Sequence, residues 1–130
     1  MVGCVHSMAH DTGGLTRVPH GVANGILLSH GMEYNFEECK EKYAKLAQFM
    51  GTDVTELSVD DAAKKAIAAV RNLHKGLNAL GAIPINLREA GVPEGSLEAI
   101  AQAAEEDGTT IYNLREVVAE DILIHLKNAY

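Results

Sequence analysis

Three of the six histidines of this chain, His6, His10 and His20, lie within its first twenty residues. A neutral imidazole is the commonest protein ligand of transition metals, and histidine is the only side chain whose ordinary titration falls near neutral pH. Gly13 and Gly14 stand between the second and the third of these histidines. This cluster predicts metal binding or proton transfer, and it places the function in the N-terminal part of the chain.

The spacing of the histidines leaves alternatives open. His6 and His10 are four residues apart, so on a helix they lie on nearly the same face and could share a metal, although most such pairs are ordinary surface or partly buried residues. His20 stands between Pro19 and Gly21. A proline of fixed backbone angle and a glycine without a side chain suit a rigidly held ligand, but they equally suit a histidine that begins a helix.

The other histidines, His30, His74 and His125, lie in helical stretches among polar residues. We expect them at the surface or at helix ends, not as metal ligands.

Apolar residues recur at helical spacing along nearly the whole chain, and no stretch alternates as a strand does. Ser58, with Asp61 three residues later, is a candidate helix start, whereas Gly51, Gly81 and Gly108 are candidate stops. The expected fold class is all-α, a multi-helix bundle of the kind that builds ligand sites between facing helices. The helices that the pattern predicts, after a first helix carrying His6 and His10, span about 21–35, 36–49, 58–80, 97–108 and 119–129.

Composition narrows the classes of function. With 130 residues, 47% of them hydrophobic, the chain is expected to form a single domain over 1–130. The net charge of −7 and scattered basic residues argue against nucleic acid, and the apolar runs are too short to cross a membrane. Cys4 and Cys39 form no metal-binding or disulfide pattern, and no signal peptide is visible, so we expect a cytoplasmic protein.

A longer pattern surrounds the three histidines and resembles the second signature of the iron-containing (group III) alcohol dehydrogenases. The similarity continues through Ile26–His30, Lys42–Ala47 and Asn113–Glu116, so it covers essentially the whole chain. The residues that carry the signature are Gly3, Val5, His6, Ala9, His10, Thr12, Gly13, Gly14, Val18, His20, Gly21 and Ala23.

The resemblance implies a role for each histidine. In that family the C-terminal part is an all-helical domain, and the metal lies in a cleft between it and an N-terminal nucleotide-binding domain. By position, His6 and His20 match two metal ligands, whereas His10 matches a histidine near the metal and the nicotinamide that assists proton movement. The segment around Asp107 and Thr109 matches one that approaches substrate and nicotinamide; the alternative is a solvated loop between two helices.

The resemblance also implies a reaction. Fe(II) or Zn(II) would act as a Lewis acid on the oxygen of a small alcohol, hydride would pass to NAD(P), and the reverse would reduce an aldehyde. The family's upstream Asp and His ligands and its Gly-rich nucleotide loop do not occur in this sequence. We therefore expect residues 1–130 to be the metal-binding C-terminal domain, with the nucleotide-binding domain absent and no activity alone. It would pair with that domain or self-associate. The alternative is a stand-alone helical interaction module that has lost catalysis.

Overall fold

Residues 3–130, which the computed structural model describes, form six α-helices and two short 3₁₀ helices. The same residues contain no β-strand, which confirms the predicted all-α bundle. None of these helices combines the length and the apolar composition that crossing a membrane requires. The α-helices are α1 (Cys4–Thr16), α2 (His20–Tyr34), α3 (Phe36–Phe49), α4 (Val59–Ala79), α5 (Leu97–Glu106) and α6 (Ala119–Asn128), and the 3₁₀ helices are Glu94–Ser96 and Gly108–Tyr112.

The predicted start of α4 is confirmed in detail. The Ser58 hydroxyl oxygen accepts a hydrogen bond from the backbone N–H of Asp61 at 3.1 Å, and the hydroxyl donates to the Asp61 carboxylate at 2.7 Å. This reciprocal cap satisfies one of the N–H groups that a helix start leaves without a partner. Asp60 and Asp61 also place negative charge at the positive end of the helix dipole.

The end of α5 differs from the prediction. The helix stops at Glu106, two residues before Gly108, and a 3₁₀ turn replaces the expected irregular stretch. The cause is Asp107, whose carboxylate accepts hydrogen bonds from the Thr109 N–H and hydroxyl and whose backbone oxygen accepts from Thr110. A short polar side chain that binds the backbone two residues on favours a new turn over a continuing helix.

Two apolar clusters hold the helices together. The larger one joins α1, α2, α5 and α6, and its fully buried members include Met8, Leu27, Ile100 and Leu126. The smaller one joins the end of α2 to α3 and α4 through Met32, Ala47, Ala66 and Ile67. The hairpin of α3 and α4 is therefore packed onto one end of α2, away from the larger core.

Helix α2 approaches its neighbours closely at Gly31. A Cβ atom added at Gly31 would overlap the Cγ2 methyl of Val5 and would lie 3.4 Å from the sulfur of Cys4, both in α1. Only a residue without a side chain allows this approach of α1 to α2. The contact sets the position of the first turn of α1, which carries His6.

One histidine lies where the sequence did not predict it. The His30 side chain in α2 is only 15% exposed, and its Nδ1 is buried without a hydrogen-bond partner. The prediction of a surface or helix-end position is therefore wrong for His30. The pKa of His30 is lowered to about 4, mainly by burial and next by the Arg71 guanidinium, whereas the Glu33 carboxylate, 4.0 Å from Nδ1, opposes both effects.

Gly31→Ala is expected to lower the free energy of unfolding by about 1 kcal/mol, because overpacking costs roughly 1–3 kcal/mol and the helix gains only about 1 kcal/mol from alanine. Gly76 in α4 is the matched control, since a Cβ there meets nothing within 4 Å. Gly76→Ala should therefore stabilise the chain. Urea unfolding of both variants measures the difference, and an equal stabilisation by both would rule out the close contact at Gly31.

The free energy of unfolding is expected to fall as the pH drops from 7 to 5. In that range the unfolded chain protonates His30, whose ordinary pKa is 6.5, but the folded chain does not, because its pKa is about 4. The contribution of His30 to the free energy of unfolding is therefore fully present above pH 6.5, and it is lost as the pH falls toward 4. Between pH 7 and pH 5 this loss is about 2 kcal/mol. Urea unfolding of His30→Gln should show a pH dependence smaller by that amount, and an unchanged dependence would contradict the role of His30.

Candidate metal and proton-transfer site

The side chains of His6, His10 and His20 meet at one surface formed by α1 and α2. The ring centroids of His6 and His20 are 5.4 Å apart, those of His10 and His20 are 5.1 Å apart, and those of His6 and His10 are 5.9 Å apart. His6 is partly buried, whereas His10 and His20 are exposed. The structure thus brings together all three histidines that the sequence singled out, and we refer to them as the histidine cluster.

The connection between α1 and α2 brings His20 back to the cluster. Arg17 ends α1 in the left-handed region, with φ of 63°, and its N–H donates to the Gly13 backbone oxygen. The Val18 carbonyl oxygen lies 3.0 Å from the position that a Cβ atom at Gly13 would occupy, so a side chain there would crowd the turn. Pro19 then precedes α2, which begins at His20 itself. His20 therefore begins a helix, which is one of the two readings of Pro19-His20-Gly21, and its ring also lies in the cluster.

The side chain of His10 contacts a carboxylate that is distant in the sequence. Its Nδ1 lies 3.0 Å from Oδ2 of Asp107, which follows α5. Burial raises the pKa of the Asp107 carboxyl, but hydrogen bonds from the Thr109 hydroxyl, the Thr109 N–H and His10 outweigh this, so the pKa lies below its ordinary value. An ionised carboxylate only accepts hydrogen bonds, so Nδ1 of His10 carries a proton, and in the neutral ring the free lone pair is on Nε2.

The surroundings of His6 favour its neutral form, which is the form that can bind a metal ion or accept a proton. Burial is the largest cause that lowers the pKa of His6, and repulsion from positive charge on His20 and on His10 lowers it further. Burial and the two neighbouring imidazoles therefore oppose protonation of His6, which is the most buried of the three rings. A neutral imidazole with an available lone pair is the form in which histidine binds metal ions.

An asparagine pair holds the first turn of α1 in place. The side chains of Asn35 and Asn113 exchange hydrogen bonds of 2.9 and 2.8 Å, and Oδ1 of Asn113 also accepts the N–H of Cys4 at 3.2 Å. Gly3, the N-cap residue of α1, has no side chain with which to cap this helix. Gly3 makes the approach possible, because its Cβ would lie 2.9 Å from the Asn113 oxygen. Sequence reasoning missed this pair, since its members are far apart in the chain.

The two cysteines do not join the histidine cluster as ligands. Both are free and buried. Burial raises the pKa of the Cys4 thiol to about 11, so this side chain stays protonated and apolar in character. Cys4 belongs to the larger core, where a free cysteine behaves as a small apolar side chain.

A groove of about 630 Å³ opens beside His6. Its walls are largely apolar and include Leu28, Tyr112 and Leu114, and Asn24 lies at the same groove. These three apolar side chains are 42%, 56% and 55% exposed. The histidine cluster therefore lies next to apolar surface that the described residues leave uncovered.

The histidine cluster fits part of a metal site. Within residues 3–130, no three histidine, cysteine, aspartate or glutamate side chains are arranged to hold one metal ion together. Catalytic zinc commonly has three protein ligands and one open position. His6 and His20 have the right chemistry for two of these ligands, and a further ligand would have to come from outside the described residues.

Comparison with known proteins identifies the family of this chain. The model of the Fe-containing alcohol dehydrogenase family, C-terminal, matches residues 1–130. The chain belongs to this family. The resemblance that the histidine signature carries is thereby confirmed.

Relatives of this chain agree with it in sequence and in fold. It is 41% identical over 129 residues to 1,3-propanediol dehydrogenase of Klebsiella pneumoniae, covering 99% of the chain and 32% of the relative. It is 43% identical over 122 residues to lactaldehyde reductase of Escherichia coli K12, covering 94% and 31%. A crystal structure of 1,3-propanediol oxidoreductase superimposes with a TM-score of 0.92 at 41% identity, covering 98% of this chain and 32% of that one. The chain thus spans about a third of the length of these relatives.

Proposed function

We propose that residues 1–130 are the metal-binding helical domain of a cytoplasmic, NAD(P)-dependent alcohol dehydrogenase that interconverts a small alcohol and its aldehyde. The observation that carries the proposal is the convergence of His6, His10 and His20, with ring centroids no more than 5.9 Å apart. The names of the relatives, a propanediol dehydrogenase and a lactaldehyde reductase, support a small hydroxylated substrate.

His6 and His20 are the proposed ligands of Fe(II) or Zn(II). Such an ion, when bound, supplies Lewis-acid polarisation of the substrate oxygen. His6 presents a ring whose neutral form is favoured by its surroundings, and His20 stands at the fixed start of α2. Imidazole suits both metals, so the chain's own residues select neither.

His10 is the proposed proton carrier. With Nδ1 bound to the Asp107 carboxylate, its Nε2 is free to accept or return a proton near the substrate and the nicotinamide. Thr109 is the proposed cofactor-side residue of the 3₁₀ segment. Its N–H and hydroxyl bind Asp107, so it also keeps that carboxylate aimed at His10. This arrangement is a base oriented by a carboxylate, which is in turn oriented by a hydroxyl.

A nucleotide-binding domain is the proposed partner of the uncovered surface. The groove beside His6 and the exposed Ile111, Tyr112 and Leu114 form apolar surface at the site. Exposed apolar surface of this kind favours association with another domain or chain. The same surface favours the second candidate function, a helical interaction module that docks onto a partner or onto itself without catalysis.

Titration with anaerobic Fe(II), and separately with Zn(II), tests the metal site by calorimetry. The wild-type chain is expected to bind about one equivalent, because two converging imidazoles form a weak but specific chelate. The double variant His6→Ala/His20→Ala is expected to show no such binding. Circular dichroism establishes that the variants remain helical.

His74→Ala is the matched control for the titration. His74 lies in α4 and contacts the Pro84 backbone oxygen at 2.8 Å, away from the histidine cluster. It should leave the binding isotherm unchanged. Metal binding that survives in the double variant would assign the metal to other residues and remove the main support for a dehydrogenase domain.

The chain by itself is expected to form no reduced nicotinamide from NAD and 1,3-propanediol, with Zn(II) added. Two imidazoles are one ligand short of the three that catalytic zinc commonly needs, and the described residues contain no Rossmann-type strand for the dinucleotide. Absorbance of the reduced nicotinamide follows the reaction. Turnover by the chain alone would contradict the need for a partner domain.

A further inference from the structure

Residues 113–118 connect the 3₁₀ helix Gly108–Tyr112 to α6 without regular secondary structure. Backbone groups of such a stretch have no helical partner, so where they are buried they need a partner from elsewhere in the fold. For Glu116 and Val118 this partner is the side chain of Tyr34, the last residue of α2. The Tyr34 hydroxyl donates to the Glu116 backbone oxygen at 2.6 Å and accepts a hydrogen bond from the Val118 N–H at 3.2 Å.

Arg115 adds a second contact between residues 113–118 and the end of α2. Its guanidinium carbon lies 4.3 Å from the centroid of the Tyr34 ring, and its Nη1 donates to the Tyr34 backbone oxygen at 3.2 Å. That oxygen is among the last carbonyls of α2, which have no partner within the helix. Nη2 of Arg115 donates to the Asp121 carboxylate in α6. A planar guanidinium can stack on a ring and donate from its edge at the same time, which a lysine ammonium cannot do.

The hydrogen bonds of Asn113 connect this arrangement to α1. Nδ2 of Asn113 donates to the Arg115 backbone oxygen at 2.7 Å, so the direction of the Asn113 amide depends on where Arg115 lies. Oδ1 of the same amide accepts a hydrogen bond from the N–H of Cys4 at 3.2 Å. His6 follows Cys4 by two residues, in the first turn of α1. The contacts at the end of α2 therefore reach the site through Asn113.

We propose that Tyr34 and Arg115 are positioning residues of the site, which hold residues 113–118 on the end of α2 so that Asn113 keeps the first turn of α1, and with it His6, in place. This inference rests on the proposed function, in which His6 is a metal ligand. In the part of the chain that the structure describes, the hydrogen bonds of Tyr34 and Arg115 go to residues 115–121 and to each other, and none goes to the histidine cluster. Both residues therefore act on His6 indirectly.

Apolar packing holds the same residues on the bundle without fixing their direction. Val117 is only 7% exposed and belongs to the larger apolar cluster. The hydrophobic effect is non-directional, whereas a hydrogen bond constrains both a distance and an angle. Removal of the Tyr34 hydroxyl is therefore expected to leave the chain folded, while the direction of the Asn113 amide becomes less fixed.

Tyr34→Phe tests the proposal in the full chain, because it keeps the ring under Arg115 and removes only the hydroxyl. Hydrogen exchange of the Cys4 N–H, followed by nitrogen-15 NMR, reports on its bond to Asn113. We expect this exchange to be about fivefold faster in the variant, the factor that corresponds to losing one hydrogen bond of ordinary strength. The ring signals of His6 should shift as well. Calorimetry with Zn(II) alone should show binding about twofold weaker, because a less ordered first turn is competent to bind for less of the time.

Two control variants separate positioning from general stability. Ile67→Val removes one buried methyl group from the smaller apolar cluster, so it lowers stability without touching residues 113–118. Tyr130→Phe is the matched substitution, because the Arg88 guanidinium carbon lies 4.6 Å from the Tyr130 ring centroid in a similar stacking contact. Both variants should leave the Cys4 N–H exchange, the His6 ring signals and the Zn(II) affinity as in the wild type.

Arg115→Lys is expected to reproduce the effects of Tyr34→Phe, since the retained charge does not restore the stacked and edge-bonded geometry. Wild-type values of the Cys4 N–H exchange in Tyr34→Phe, equal acceleration in Ile67→Val, or unchanged Zn(II) affinity in Tyr34→Phe would each overturn the proposal. Absence of Zn(II) binding to the wild type would overturn the metal site of the proposed function, and the Cys4 exchange and His6 signals would still decide the role of Tyr34 and Arg115.

Discussion

Helices α1 and α2 approach each other closely at Gly31, which has no side chain of its own, and the geometry of the site depends on this approach. Gly31 lies against Val5 and Cys4, directly before His6 in α1. A larger residue would move the first turn of α1, and with it His6, relative to the start of α2. Because imidazole rings must meet within about one ångström of their working positions to share a metal or pass a proton, the packing of these two helices is also the positioning of the site.

A second set of contacts ties this pair of helices to the last third of the chain. Asn113 accepts the first N–H of α1, and Asp107 accepts a hydrogen bond from His10. Both residues flank the 3₁₀ segment between α5 and α6. That segment therefore connects α1 to the chain between α5 and α6. The turn at Asp107 that ends α5 also directs the Asp107 carboxylate toward His10.

Charge in the site favours a neutral His6 and an ionised Asp107. Burial and mutual repulsion lower the pKa of His6, and hydrogen bonds lower the pKa of Asp107. His30 is also held neutral by burial, but it lies in α2 beside Glu33 and Arg71, with no contact to the cluster. The pKa is thus lowered for His6 and also for His30 away from the cluster, and of these two histidines His6 lies beside other imidazole rings.

The sequence by itself determined the helices and the three residues of the cluster. Apolar periodicity, the Ser58 cap and the glycine stops are local signals, and they predicted most helices to within a residue or two. Tertiary structure alone decided which groups complete the site. The cap of α1 comes from Asn113, 109 residues beyond Cys4, and the partner of His10 is 97 residues away. Such contacts follow from how helices pack, which local propensity does not encode, so they became readable only in the folded chain.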